Sequence, residues 1–202
     1  MSTHFTPVQR LLLGVQVLIV LFFGTYYLRA LNFEFLAYVG TIVLVTAVLY
    51  GTLRYTAFPT AVLAGITLWS LLHMLGGSVP TPDGVLYAYR IYPFLDRGGD
   101  FYVLKMDQVI HAFLYAVVGL MFLHLIRRFI GTAHPWFIAF VAAFAAAGFS
   151  VLNEIVEFLA AVNLPQTGVG GYENTVLDLI FNLAGALLAV LCATLIAQRK
   201  RR

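Results

Sequence analysis

Residues 137–160 read FIAFVAAFAAAGFSVLNEIVEFLA. Positions 137–149 carry no charge, yet the run closes on Glu154 and Glu157, which stand three residues apart and so share one helix face. Taken from 135 to 159, the stretch has the length, about 17 to 25 apolar residues, needed to cross a bilayer. Its reading decides the fold: this is a membrane helix, and its two carboxylates have to be explained as groups at or inside a membrane.

The composition agrees. Of 202 residues, 61% are hydrophobic and 10% charged, with a mean hydropathy of +0.91. A soluble domain carries about 45–50% apolar and about 25% charged residues. Apolar runs at 11–27, 35–53, 58–76, 106–126, 135–159 and 175–197 predict an all-α, polytopic bundle of six transmembrane helices. They follow one another too closely for a separate soluble module, so residues 1–202 are expected to form a single transmembrane helical domain. The first run is too long for a signal-peptide core and lacks a small-x-small cleavage site, so it is expected to remain in the mature protein. The single cysteine, Cys192, lies in an apolar run, which excludes an intramolecular disulfide or a CxxC motif and leaves the redox compartment undetermined.

Orientation follows from the positive charges. With both termini cytoplasmic, the inner segments carry Arg10, Arg54, Arg127, Arg128, Arg199, Lys200, Arg201 and Arg202, and the outer ones Arg29, Arg90, Arg97 and Lys105. The net charge of +3 and the terminal RKRR fit an orientation signal touching anionic lipid, not a nucleic-acid partner. The expected partners are membrane lipids; the oligomeric state is not legible.

Two connections stand on the outer side of this topology. The extracytoplasmic loop over 77–105 holds Tyr87, Tyr89, Tyr92 and Tyr102 with Asp83, Asp96 and Asp100, and reads either as an interfacial aromatic belt or as a lid over a site. The loop NLPQTGVGGYE at 163–173 reads first as turn chemistry; its glycines also permit close backbone approach to a ligand. The Ala-rich run 139–148 is expected to let a neighbouring helix pack closely. No tandem repeat, low-complexity tract or inverted pair of broken helices is present.

Polar side chains inside the spans fall into three stripes. Asp107 and His111 are four apart at the start of the fourth span, Glu154 and Glu157 close the fifth, and Asn174, Asp178 and Asn182 recur every four residues in the sixth. With the alternating direction of the spans, all lie within roughly 15 Å of the outer surface, and His73 in the third span joins the same layer. Each group has a plainer reading taken alone. Glu154 and Glu157 can end a helix at the headgroups, Asp107 and His111 can pair, and Asp178, Asn182 and His73 can hydrogen-bond between helices. Together they point to one outward-facing polar chamber.

A charge at the centre of a span costs roughly 2.5–3.5 kcal/mol, so four carboxylates need compensation by a cation, protons or water. Carboxylates with imidazole suit Zn²⁺, Mn²⁺ or iron. The expected metal ligands are therefore Asp107, His111, Glu154, Glu157 and Asp178, supported by His73, Asn174 and Asn182. A metal here would make bound water a nucleophile, with Glu154 or Glu157 as proton acceptor. The function classes this supports are a metal-dependent hydrolase of a lipid or envelope-linked substrate, a lipid-binding accessory protein, and a proton- or cation-coupled transporter. Transport requires a matching inner opening, whereas the inner half offers only His124 and His134 as titratable groups other than arginine.

The DxxxH of the fourth span, the NExxE of the fifth and the DLIFNLAGALLA beginning at Asp178 resemble the VanZ-like membrane proteins and, more closely, the YjdF-like inner-membrane family. The LLHMLGG segment and the tyrosine-bearing loop after it resemble the latter too. The likeness covers residues 71–188. It implies a small helical protein of prokaryotic inner membranes; VanZ itself is associated with teicoplanin resistance, while the YjdF-like group has no settled activity. Asp107, His111, Glu154, Glu157 and Asp178 match the family pattern. Asn174 departs from it, because YjdF-like members tend to carry aspartate there.

Overall fold

In a computed structural model, residues 5–99, 101–131, 134–165 and 167–200 are described. Asp100, Gln166, Arg201 and Arg202 lie outside them. The chain is mostly helical: α1 (Pro7–Arg29), α2 (Phe33–Thr56), α3 (Thr60–Gly76), α4 (Met106–Phe129), α5 (Pro135–Asn163) and α6 (Tyr172–Arg199). Five of these are long and apolar enough to cross a membrane; α3, at 17 residues, is a shorter apolar helix. The protein is a multi-pass membrane protein.

The helix ends are set locally. Thr6 and Gln9 form a reciprocal capping box ahead of Pro7, with Gln9 N donating to Thr6 Oγ1 at 3.2 Å and Thr6 N to Gln9 Oε1 at 2.9 Å. Asn32 caps α2 by accepting from Phe35 N at 3.1 Å. At the other end of α2, Ala57 takes a left-handed conformation (φ 46°) and its N–H closes on Leu53 O.

Between α3 and α4 the chain forms two small antiparallel hairpins, where the sequence suggested only a loop. Strand β1 (Pro80–Thr81) pairs with β2 (Gly84–Val85), and β3 (Arg90–Gly98) with β4 (Phe101–Lys105). All of β3 is exposed. An open sheet edge is not tolerated against hydrocarbon, so this hairpin marks one end of the bundle as lying beyond the bilayer core. Gln108 fixes it to α4: its Oε1 accepts from the N–H groups of Leu104 and Lys105, and its Nε2 donates to Tyr102 O at 2.8 Å. The start of α4, and with it Asp107, is held in place by this clamp.

Inside a bilayer, helix association rests on close packing and interhelical hydrogen bonds. Helices α4 and α6 approach most tightly: a Cβ placed on Gly185 would lie 2.0 Å from Ala112 O, and one on Gly119 3.2 Å from Ala186 O. The alanine run behaves as expected, with Ala139, Ala142, Ala143 and Ala146 of α5 buried. Helices α1 and α3 are joined by Gln16 Nε2 donating to Ser70 Oγ at 2.8 Å and by the Tyr27 hydroxyl donating to Met74 O at 2.6 Å. Away from the hairpins, His124 Nε2 meets Thr56 O and Arg128 Nε donates to Tyr55 O, tying the end of α4 to the end of α2.

Candidate functional site

The polar stripes converge at the hairpin end. Asp107 lies in the first turn of α4 and His111 one turn on; Glu154 and Glu157 face them from α5, and Asn174, Asp178 and Asn182 from α6. Asp107 remains partly exposed, while His111, Glu154, Glu157, Asn174, Asp178 and Asn182 are buried.

His111 is the hub. Its Nε2 stands 3.4 Å from Asp107 Oδ1 and 3.6 Å from Glu157 Oε1, and its Nδ1 stands 3.2 Å from Asn182 Oδ1 and 4.0 Å from Glu154 Oε1. The Asn182 amide is oriented by its other end, which donates to Glu154 Oε1 at 3.3 Å. Its oxygen therefore accepts from His111 Nδ1–H, and Nε2 is turned toward two carboxylates. Nε2 meets those oxygens either as the N–H of an imidazolium or, as a bare nitrogen, with a cation between them. Asp107, His111 and Asp178 offer ligand atoms that all lie within 4.8 Å of one another, a group that can hold a metal ion.

Two oxygens favour the cation. Glu154 Oε2 and Asp178 Oδ1 are buried without a hydrogen-bond partner among the described residues, an arrangement that costs about 1–3 kcal/mol per group, and more for a charged one, unless something fills it. Asp178 is otherwise anchored through Oδ2, which accepts from Asn174 Nδ2 at 2.6 Å. That amide also lies 3.4 Å from Asp107 Oδ2 and donates to Val169 O at 3.2 Å, while Lys105 Nζ donates to Asn174 Oδ1. The departure from aspartate thus makes Asn174 a connector between two acids, a role that an ionised carboxylate has no N–H to perform.

The cluster opens into a small cavity of about 60 Å³ whose walls include Glu34, Tyr38, His73, Tyr87, Asp107, His111 and Glu157. His73 stacks on Trp69, meets Tyr38 edge to face and is hydrogen-bonded through Nδ1 to the Tyr87 hydroxyl. It belongs to the cavity wall, apart from the His111 cluster. Burial, reinforced by Asp107 and Glu157, pushes the Tyr87 hydroxyl well above its ordinary range, so it stays protonated. Within 77–105, Val85 and Tyr87 reach the cavity. From the glycine-rich loop, Gly168 and Val169 do so as well.

Glu34 was not singled out in the sequence. It is buried at the start of α2, accepts from Gly168 N at 2.9 Å, and takes the Tyr38 hydroxyl at 3.2 Å. It also lines a wider cleft of about 600 Å³ between the α1–α2 turn and Leu164, Pro165 and Thr167. The available signal was the spacing Glu34–Tyr38, one helical turn, like Asp107–His111. Asn153, the first residue of the NExxE motif, donates through Nδ2 to Glu157 Oε1 at 2.7 Å.

A family model described as "Predicted membrane protein (DUF2238)" matches residues 9–199, consistent with the YjdF-like resemblance of the motifs. No curated protein and no solved structure matches the chain.

Proposed function

We propose that this chain, which belongs to the DUF2238 family of predicted membrane proteins, holds a divalent cation in a polar chamber at the hairpin end of a six-span bundle. The observation that carries the reading is the convergence of ligand atoms from Asp107, His111 and Asp178 within 4.8 Å of one another, with Asp178 Oδ1 and Glu154 Oε2 unpartnered among the described residues. Asp107, His111 and Asp178 are the primary ligands, and Glu154 and Glu157 complete the set or receive protons. Zn²⁺, Mn²⁺ and iron suit these donors.

Helix α3 counts as the sixth span. Its 17 residues rise about 26 Å, short of the roughly 30 Å core, but it is wedged among its neighbours, with Leu63, Ile66 and Trp69 buried. The distribution of arginine and lysine then puts both termini in the cytoplasm and the chamber outward. The relation to the VanZ-like proteins is part of the same proposal.

The chemistry we assign is hydrolysis of a lipid or envelope-linked substrate. A bound cation would supply Lewis acidity and an activated water. The chain's own part is to fix the His111 tautomer through Asn182, to hold Glu157 through Asn153, and to offer Glu154 and Glu157 as proton acceptors. A coupled transporter is disfavoured because His124, at the opposite end, is already bonded to Thr56 O and packed on Phe58.

Elemental analysis of the purified protein beside Glu154→Gln/Glu157→Gln and Asp178→Asn variants tests the proposal. One equivalent of metal in the wild type, lost in the variants, is expected. A metal-free wild type after growth and purification in metal-replete, chelator-free buffer overturns it.

A further inference from the structure

A second cavity lies beneath the polar one. It measures about 610 Å³ and runs between α2, α3, α4 and α5, with Thr41, Val48, Trp69, Tyr115, Leu152 and Asn153 among its walls. On the α2 side its threonines have already committed their hydroxyl protons: Thr41, Thr52 and Thr56 donate to carbonyls of their own helix. Val48 and Leu152, at 54% and 53% exposed, flank its mouth toward the bilayer.

The two cavities are in register on four helices. Tyr38 and Thr41 on α2, His73 and Trp69 on α3, His111 and Tyr115 on α4, and Glu157 and Asn153 on α5 each pair a polar-cavity residue with a groove residue about one turn away. Asn153 joins them directly through its bond to Glu157. A polar, acid-lined pocket stacked on an apolar trough is the negative image of an amphiphile.

Width decides between occupants. From Thr41 to Thr56 the groove follows α2 for about 22 Å, and with its open mouth it holds about 1560 Å³ of empty space. A helix of a second copy, about 10–12 Å in diameter with side chains, takes about 1700 Å³ or more over that length and does not fit; a single hydrocarbon chain does.

We propose that the site takes a membrane amphiphile, its polar head in the cavity bounded by Glu34, Asp107, His111 and Glu157 and one hydrocarbon chain in the groove between α2 and α5. This inference rests on the polar cluster being the substrate-receiving site, and it names the substrate class as lipid.

The sequence contains two tryptophans, so Trp136→Phe leaves Trp69, in the groove wall, as the sole reporter. In vesicles of phosphatidylethanolamine and phosphatidylglycerol with chains brominated at carbons 6 and 7, Trp69 fluorescence is expected to be quenched, and Val48→Phe/Leu152→Phe to relieve at least half of that quenching. Native mass spectrometry of the detergent-extracted protein should show one retained lipid, lost from Val48→Phe/Leu152→Phe and from Val85→Phe, which fills the polar cavity from its rim. Equal quenching or equal lipid retention with the groove filled identifies surface lipid only and overturns the proposal, as does a lipid-free dimer. Retention unaffected by Val85→Phe overturns the placement of the head. Metal content, measured on the same samples, separates the two readings: lipid loss on groove filling without any metal sinks the cation site alone, and metal without retained lipid sinks the amphiphile alone.

Discussion

At the scale of single residues, Asn182 has the largest leverage per atom. Its oxygen fixes the proton on His111 Nδ1 and its nitrogen steadies Glu154, so it tunes the cluster without being a ligand in the proposed site. Removing such an orienting partner typically costs about 10- to 100-fold in metal affinity. Asn182→Ala is therefore expected to weaken Zn²⁺ binding by that factor, measured by competition with a chromophoric chelator, while the helical content stays unchanged. An unaltered affinity would mean that His111 is positioned by packing alone. The stripes that build the cluster were legible because one-turn spacing survives into the fold. Glu34 was not legible as a site residue: it sits where an apolar span begins, a position that reads as solvent-facing. Its burial depends on Gly168, a partner far along the chain that no local pattern announces.

At the scale of elements, the packing of α4 on α6 determines the site's dimensions. Gly185 meets the backbone at Ala112, one residue from His111, and Asn182 lies one turn before it. Backbone cannot yield as a flexible side chain does, so Gly185→Ala has to separate the helices. We expect destabilisation of about 1–3 kcal/mol, together with a lengthened His111–Asn182 contact and loss of bound metal. Thermal unfolding in detergent and elemental analysis read these two effects separately, and a variant with wild-type values for both would show that the close approach is relaxed in solution. The helices themselves were read from hydropathy alone, but the β3–β4 hairpin was not. Its strand contains Pro93, lacks a buried face and is irregular in register, with bulges between Arg90 and Leu95 and between Asp96 and Gly98. Without alternation there is no period-two signal for a strand to display.

At the scale of the whole molecule, the proposed topology makes a sharp statement about sidedness. In a Cys192→Ser background, Tyr92→Cys in the hairpin should react with a membrane-impermeant maleimide added to intact cells, and Lys200→Cys only after permeabilisation. Labelling of both from outside, or of Lys200→Cys alone, would reject six spans with cytoplasmic termini. The same ordering of elements bears on how the protein is made. Glu34 arrives with the second helix, His111 with the fourth and the glutamates with the fifth, but Asp178 and Asn182 arrive with the sixth. During synthesis the acidic residues of α5 therefore enter the membrane beside a histidine whose tautomer nothing yet fixes. Completion of the chain is what turns a set of costly buried charges into a finished pocket, so a nascent chain stalled before α6 would carry an exposed, charge-bearing helix surface, the kind of defect by which membrane quality control can recognise an unfinished product.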